Sequence, residues 1–220
     1  MNKLIRYILA LPKTIYVNLC LFEIRDAIRL PVIVSGNTII GKLHKGAIKL
    51  QKKSFRAVQI GMYDGSFSLG RARVNYLNFH SEGTLHVADT AKFSNGCSIN
   101  IGGNVHLGKN FTCNAGFVLS AENKVSIGDD CLFGWNVNIL DGDGHDILID
   151  KKKVNTSRPI HIGNHCWICS NVTILKGTFL ENESVVGTGT IVSKSFENNG
   201  NVLISGNPAR VSKNEIEWKA

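Results

Sequence analysis

The chain has 220 residues, 43% of them hydrophobic and 19% charged, with 22 glycines, 4 prolines and a formal net charge of +8 at pH 7. That apolar content excludes wholesale disorder and suits one domain with a large core, and the glycines suit a β structure with many tight turns. A positive balance admits nucleic acid, an anionic membrane surface or a phosphorylated ligand as partner, but the charge reads as thinly spread, with small clusters at 49–53 and 151–153 and no basic strip interleaved with aromatics, so nucleic acid is set aside.

Residues 1–56 read as an N-terminal amphipathic and irregular segment. Within 1–35, apolar residues recur at helical spacing (Leu4, Ile5, Ile8, Leu9, Ile15, Leu19, Phe22, Ile28), and Pro12 reads as a break. Arg6, Lys13, Arg25 and Arg29 give the segment a basic tilt. No uncharged apolar stretch reaches the roughly 20 residues that span a bilayer. Two readings stay open: a helical cap packed on the rest of the fold or on a neighbouring subunit, or an interfacial helix that brings the protein to a membrane. Residues 36–86 read as irregular early coils, with short strands in 39–48 and 57–61 and a corner at Leu69-Gly70.

From Val87 the chain becomes periodic. Fifteen apolar anchors follow one another: Val87, Phe93, Ile101, Leu107, Cys113, Leu119, Ile127, Phe133, Ile139, Ile162, Ile168, Ile174, Leu180, Val186 and Val192. Every step is six residues except two of eight and one of twenty-three. A period of six is neither helical nor a plain strand alternation, and it marks a solenoid whose flat faces each use one repeat. The solenoid is expected over 57–205, with an extruded loop at 140–159 in the long step. Such loops on rigid scaffolds tend to carry chemistry. Residues 206–220 read as a short closing helix or tail anchored by Trp218.

The six cysteines follow no secretory signal pattern, so the expectation is reduced thiols and a cytoplasmic setting. Cys166 and Cys169 form a CxxC, but the hexad phase turns Cys166 inward and Cys169 outward. The thiols then diverge and make no zinc site.

The stretch IHIGNHCWICSNVTILKGTFLENESVVGTGTIVSKSF, followed by SGNPARV, resembles the C-terminal half of hexapeptide-repeat acyltransferases, above all sugar and surface-polysaccharide O-acetyltransferases. The likeness covers about residues 87–212. It implies a left-handed parallel β-helix, a homotrimer, and acetyl-CoA lying between two prisms as acyl donor. That handedness runs against the usual crossover rule, and the period alone does not set it.

The resemblance also assigns residues. His145, in DGDGHDI, matches the family base that takes the proton from a sugar hydroxyl. Asp141, Asp143 and Asp146 are candidates to orient its ring, Asp143 and Asp146 foremost. Asn114 and Trp167 match residues that face the acceptor and the thioester. Ser170, Thr188 and Gly189 match the pantetheine run, Ser193 and Lys194 the adenosine end, and Arg210 and Lys213 the CoA phosphates. No metal is expected, since DGDGHD lacks the glutamate of a calcium loop and the histidines do not form a zinc triad. Where galactoside and maltose enzymes read GHP this chain reads GHD, and its N-terminus looks more like that of capsule or lipopolysaccharide acetyltransferases. A glycan acceptor is therefore expected, free, nucleotide-linked or lipid-linked. N-acetylation of an amino-sugar nucleotide and a non-catalytic β-helix scaffold are the alternatives.

Overall fold

In the computed structural model, residues 3–63, 73–197 and 199–219 are described; the Leu69-Gly70 corner lies outside them. Strands recur three to a coil and stack into three parallel sheets. Sheet A holds Val32–Val34, Val58–Tyr63, Ala91–Ser94, Phe111–Cys113, Leu132–Phe133, Trp167–Ile168, Val185–Val186 and Leu203–Ser205. Sheet B runs from Thr38–Ile40 to Ile191–Val192, and sheet C from Ile48–Leu50 to Phe179–Leu180. The chain visits A, B and C in turn and leaves three edges, A/B, B/C and C/A.

The hexad phase predicts which side chains enter the prism. All fifteen anchors are buried, none more than 3% exposed. Phe93, Phe111, Phe117 and Phe133 stack down the interior with ring centroids 5.1–6.0 Å apart. Burying each such side chain contributes about 1.5–3 kcal/mol.

The register corrects one step of the frame. Ile99, not Ile101, stands opposite Leu119 and, through it, Ile139; Ile101 stands opposite Ala121. The extra two residues of each early coil therefore sit on the B-to-C side, where both Ile99 and Ile101 turn inward. The extruded loop leaves from that same side, between Asn138–Leu140 and Ile160–Ile162. The A/B and C/A edges turn through left-handed residues stacked in register. Asn136, Asn171 and Gly189 serve at A/B, and Asn110, Asp130, His165 and Glu183 at C/A. Asparagine, aspartate and glycine tolerate that conformation best.

The prism begins at Val32 rather than at 57, because Val32–Val34 already pairs with Val58–Ile60. The turn at 51–57 and the twelve-residue sequence step from Tyr63 to Asn75 stretch the first coils past the six-residue rhythm and hide them. Ahead of them come helices α1 (Lys3–Leu21) and α2 (Ile24–Ala27). Pro12 does not break α1, which runs through it. Of the closing helix or tail expected at 206–220, the described residues form the tail, anchored by Trp218, and ahead of it an unforeseen strand, Arg210–Lys213, antiparallel to Leu203–Ser205.

Helix α1 solves the problem of the first strand, here β1 (Val32–Val34). An end strand leaves alternate main-chain groups unpaired. Pro31 O and Ser35 N bond to the second coil, so the polar groups of Val32 and Val34 point the other way. Asn18 Nδ2 donates to Val32 O at 2.6 Å, and Val32 N donates to Asn18 Oδ1 at 3.1 Å. Val34 N donates to Thr14 Oγ1 at 3.1 Å, and that hydroxyl donates to Val34 O at 3.3 Å. Four helical residues rise about 6 Å and two strand residues about 6.6 Å, so Thr14 and Asn18 match Val34 and Val32 in spacing.

Candidate functional site

Two clusters of expected site residues lie on neighbouring edges. Asn114, Ser170 and the pair Thr188 and Gly189 each follow a sheet A strand, Asn114 two coils before Ser170 and Thr188 one coil after it, and so share the A/B edge. Asn114 is half-buried and its φ is not left-handed, so it is no corner asparagine of the kind seen at Asn136. Among the described residues its side-chain amide has no hydrogen-bond partner. Ser170 Oγ accepts from Trp135 N at 3.2 Å. Thr188 and Gly189 are exposed, and a Cβ at Gly189 would meet nothing within 4 Å. This edge is open to an extended chain. Trp135 joins it between the Asn114 and Ser170 rungs. The sequence reading missed it, although a tryptophan directly after the corner Gly134 was the available signal.

The B/C edge carries the loop. It rises from Leu140, forms a short hairpin of Leu148–Ile149 with Lys152–Lys153, and returns at Ile160. His145 is exposed, and its ring has no hydrogen-bond partner among the described residues. Its backbone is held instead. Asn155 Nδ2 donates to His145 O at 2.7 Å and to Asp143 Oδ2 at 2.7 Å, and Asn155 Oδ1 accepts from Ile147 N at 2.6 Å. Asn155 is thus a three-way clamp around the histidine, and it too went unread, because nothing local links it to a residue ten positions upstream.

The three aspartates do not orient the imidazole. Asp141 is fully buried and accepts from Glu122 N and Asn123 N at 2.6 and 2.9 Å. Burial pushes its carboxyl above the usual range against those two N–H donors. Asp143 is held by Lys176 and Asn155, which lower its carboxyl below that range. Asp146 pairs with Lys153 at 2.6 Å. Each carboxylate is spent on fastening the loop to the prism or to itself.

Trp167 lies on the outer side of sheet A, 38% exposed. Trp218 leans on it with centroids 5.8 Å apart and stacks on His165 at 4.2 Å. Its Nε1 donates to His165 O at 2.9 Å, which fixes the tail. Ser193 and Lys194, both exposed, follow the last sheet B strand and so sit on the B/C edge, with Lys194 Nζ 5.2 Å from the Phe196 ring centre. Arg210 and Lys213 project from the closing strand and are exposed. Cys166 is buried and Cys169 half-buried on the outer side, both free. Among the described residues no three histidine, cysteine or carboxylate side chains gather to hold a metal.

One chain therefore brings Asn114, Ser170, Thr188 and Gly189 together, with Arg210 at the end of the adjoining sheet, and keeps His145, Ser193 and Lys194 on the next edge. Sheet B separates them.

Comparison with known proteins accords with this geometry. A family model described as hexapeptide repeat of succinyl-transferase matches residues 124–142 and 159–194, on either side of the loop. A galactoside O-acetyltransferase of Escherichia coli (strain K12) is 38% identical over 112 residues, 50% of this chain and 54% of that protein. A polysialic acid O-acetyltransferase of Escherichia coli O1:K1 is 32% identical over 120 residues, 53% of this chain and 38% of that protein. The chain spans about half the length of the first of these curated relatives and less of the second. Among solved structures, the polysialic acid O-acetyltransferase OatWY superposes with a TM-score of 0.54 at 25% identity, covering 84% of this chain and 88% of that one. The polySia-specific acetyltransferase NeuO gives 0.56 at 24%, covering 84% and 89%. These likenesses set the hand of the helix as left.

Proposed function

We propose that this left-handed parallel β-helix is a hexapeptide-repeat acyltransferase that transfers an acetyl group from acetyl-CoA to a hydroxyl of a bacterial surface glycan. The observation that supports this most is the long interruption of the coils at 141–159, which presents, on a clamped backbone, a His145 ring without a hydrogen-bond partner among the described residues. Neutral imidazole takes the proton of the acceptor hydroxyl as its oxygen attacks the thioester carbonyl. The tetrahedral adduct collapses, the C–S bond breaks, and the imidazolium returns the proton to the departing thiolate. Asn114 offers an uncommitted amide to the carbonyl oxygen as negative charge develops there.

The pantetheine arm runs along the open A/B edge past Ser170, Thr188 and Gly189, with Trp167 near the thioester. Ser193, Lys194, Arg210 and Lys213 take the adenosine and phosphate end. Because His145 and Asn114 stand on different edges of one prism, a working site needs a second prism, and a closed trimer supplies three equivalent clefts. Acetyl-CoA places the reaction in the cytoplasm.

Thiol release from acetyl-CoA, measured across a panel of bacterial glycans, tests the reading. Turnover is expected with at least one hydroxyl acceptor and an alkali-labile ester product, and His145→Ala is expected to lose about two to four orders of magnitude in kcat. Full turnover by that variant refutes the base. An alkali-stable amide product refutes the hydroxyl acceptor.

A further inference from the structure

The first 56 residues hold eleven lysines and arginines against two acids, a net +9, whereas residues 57–220 hold fourteen against fifteen, a net −1. The charge that reads as thinly spread is collected at one end of the prism. That end is where α1 grips β1, so the far side of α1 points away from the prism along its long axis. The far side is apolar: Ile8 and Leu9 are each 60% exposed, and Ile15 and Leu19 continue the stripe. The only charges between Leu4 and Leu21 are Arg6 and Lys13, and both reach back, Arg6 Nη2 to Gly61 O and Lys13 Nζ to Gly36 O and Thr38 O. On α2 and just past it, Ile24 and Ile28 are 71% and 72% exposed, with exposed Arg25 and Arg29 interleaved. An open groove of about 700 Å³ beside Leu9, Tyr16, Ile39 and Val74 widens the apolar surface.

Side-by-side prisms cannot cover a face that points along their axis. End-to-end stacking of two copies would press one +9 end against another. A negatively charged surface that is apolar beneath fits both features. The helix is long and apolar enough to cross a bilayer, but Lys13, Thr14 and Asn18 are bonded into the prism, so it lies flat.

We propose that the α1–α2 end of the prism is a membrane-docking face, which seats its apolar stripe at the headgroup boundary of an anionic lipid surface with Arg25 and Arg29 among the headgroups. This goes beyond the catalytic reading and does not depend on it, since lipid binding is measured without acetyl-CoA or acceptor.

The test is flotation of the full chain with phosphatidylcholine vesicles, plain or with about 30% phosphatidylglycerol, the anionic component supplying the field that basic residues sense. Binding is expected to the mixed vesicles, at least tenfold over the plain ones, and to weaken in about 0.5 M salt as screening shortens. Ile8→Glu with Ile15→Glu is expected to abolish it while the circular dichroism spectrum and solution mass stay unchanged. Should that pair fail to fold, Arg25→Gln with Arg29→Gln decides, with an expected loss of roughly thirtyfold in vesicle affinity from two surface cations. No preference for anionic vesicles, or no loss in the arginine pair, overturns the proposal. So does a fall in solution mass of the glutamate pair, which would mark the face as a contact between copies.

Discussion

Replacing Asn18 by alanine tests whether a helix can stand in for a strand. Asn18 is fully buried and its amide makes the bonds that satisfy Val32 N and Val32 O, both at the free edge of β1. Truncation leaves two buried main-chain groups without partners. Each such group costs about 1–3 kcal/mol, so the pair costs roughly 3 kcal/mol once some relaxation is allowed. For a chain of this size that lowers Tm by about 6–12 °C. The measurement is thermal and urea unfolding followed by far-UV circular dichroism, with Ile8→Ala, on the exposed side of the same helix, as control. The control is expected to change stability by less than about 0.5 kcal/mol. Adding Thr14→Val to the Asn18 variant is expected to cost less than the sum of the two, because a helix already detached at Val32 has less to lose at Val34. A loss below about 1 kcal/mol for Asn18→Ala, equal to the control, would refute the capping argument and leave α1 as a helix that merely rests on the prism.

Asn155→Ala removes the clamp on the His145 backbone without touching its ring. It is expected to lower kcat by about ten- to a hundredfold, as a displaced base does, with the KM for acetyl-CoA unchanged within about twofold; a change in KM alone would count against the positioning role. Asp143 sits below the usual carboxylate range because of Lys176 and Asn155, so its hold on the loop is present above the unfolded carboxylate value and is lost only as pH falls through the lowered one. Limited proteolysis of the loop is therefore expected to rise only in strong acid, and Lys176→Met is expected to move that rise to higher pH. On sheet C, His86 and His106 stack with centroids 4.4 Å apart, and burial, then neighbouring positive charge, pushes both below the ordinary histidine value of 6.5. The folded state then binds fewer protons than the unfolded one, so stability present above that value is lost as pH falls from it toward the depressed values. Tm is expected to drop between pH 7.5 and 5.5, and a His86→Gln, His106→Gln variant to show a flatter profile.

The fold was legible where one rule operated alone. From Phe93 to Val192 each coil must place an apolar group inward on each face, and every anchor picked on that rule is buried. The rule misplaced Ile101 because the B-to-C side of the early coils turns two residues inward, and Ile99 and Ile101 satisfy burial equally. It lost the first coils because their turns exceed the spacing. Helix α1 shows a deeper limit. Its apolar stripe looks like a core face, yet the prism takes the opposite side, Ala10, Thr14, Val17, Asn18 and Leu21, because the end of a parallel sheet demands hydrogen bonds before it demands more apolar surface.

The same competition shapes the site. Residue types pointed to His145 as the proposed base, but the partners of the loop carboxylates depend on which coil lies beneath: Glu122 and Asn123 for Asp141, Lys176 for Asp143. Sequence proximity favoured a carboxylate–imidazole pair, whereas the loop needs those charges to fasten itself to the B/C edge. A histidine left with a free ring on a fastened backbone can meet an acceptor brought by another prism without first breaking a bond of its own. The interruption in the hexads thus costs the solenoid nothing in register, since Asn138, Ile139 and Leu140 still stand against Thr173, Ile174 and Leu175 across it. The coils stay continuous and the loop is free to reach outward.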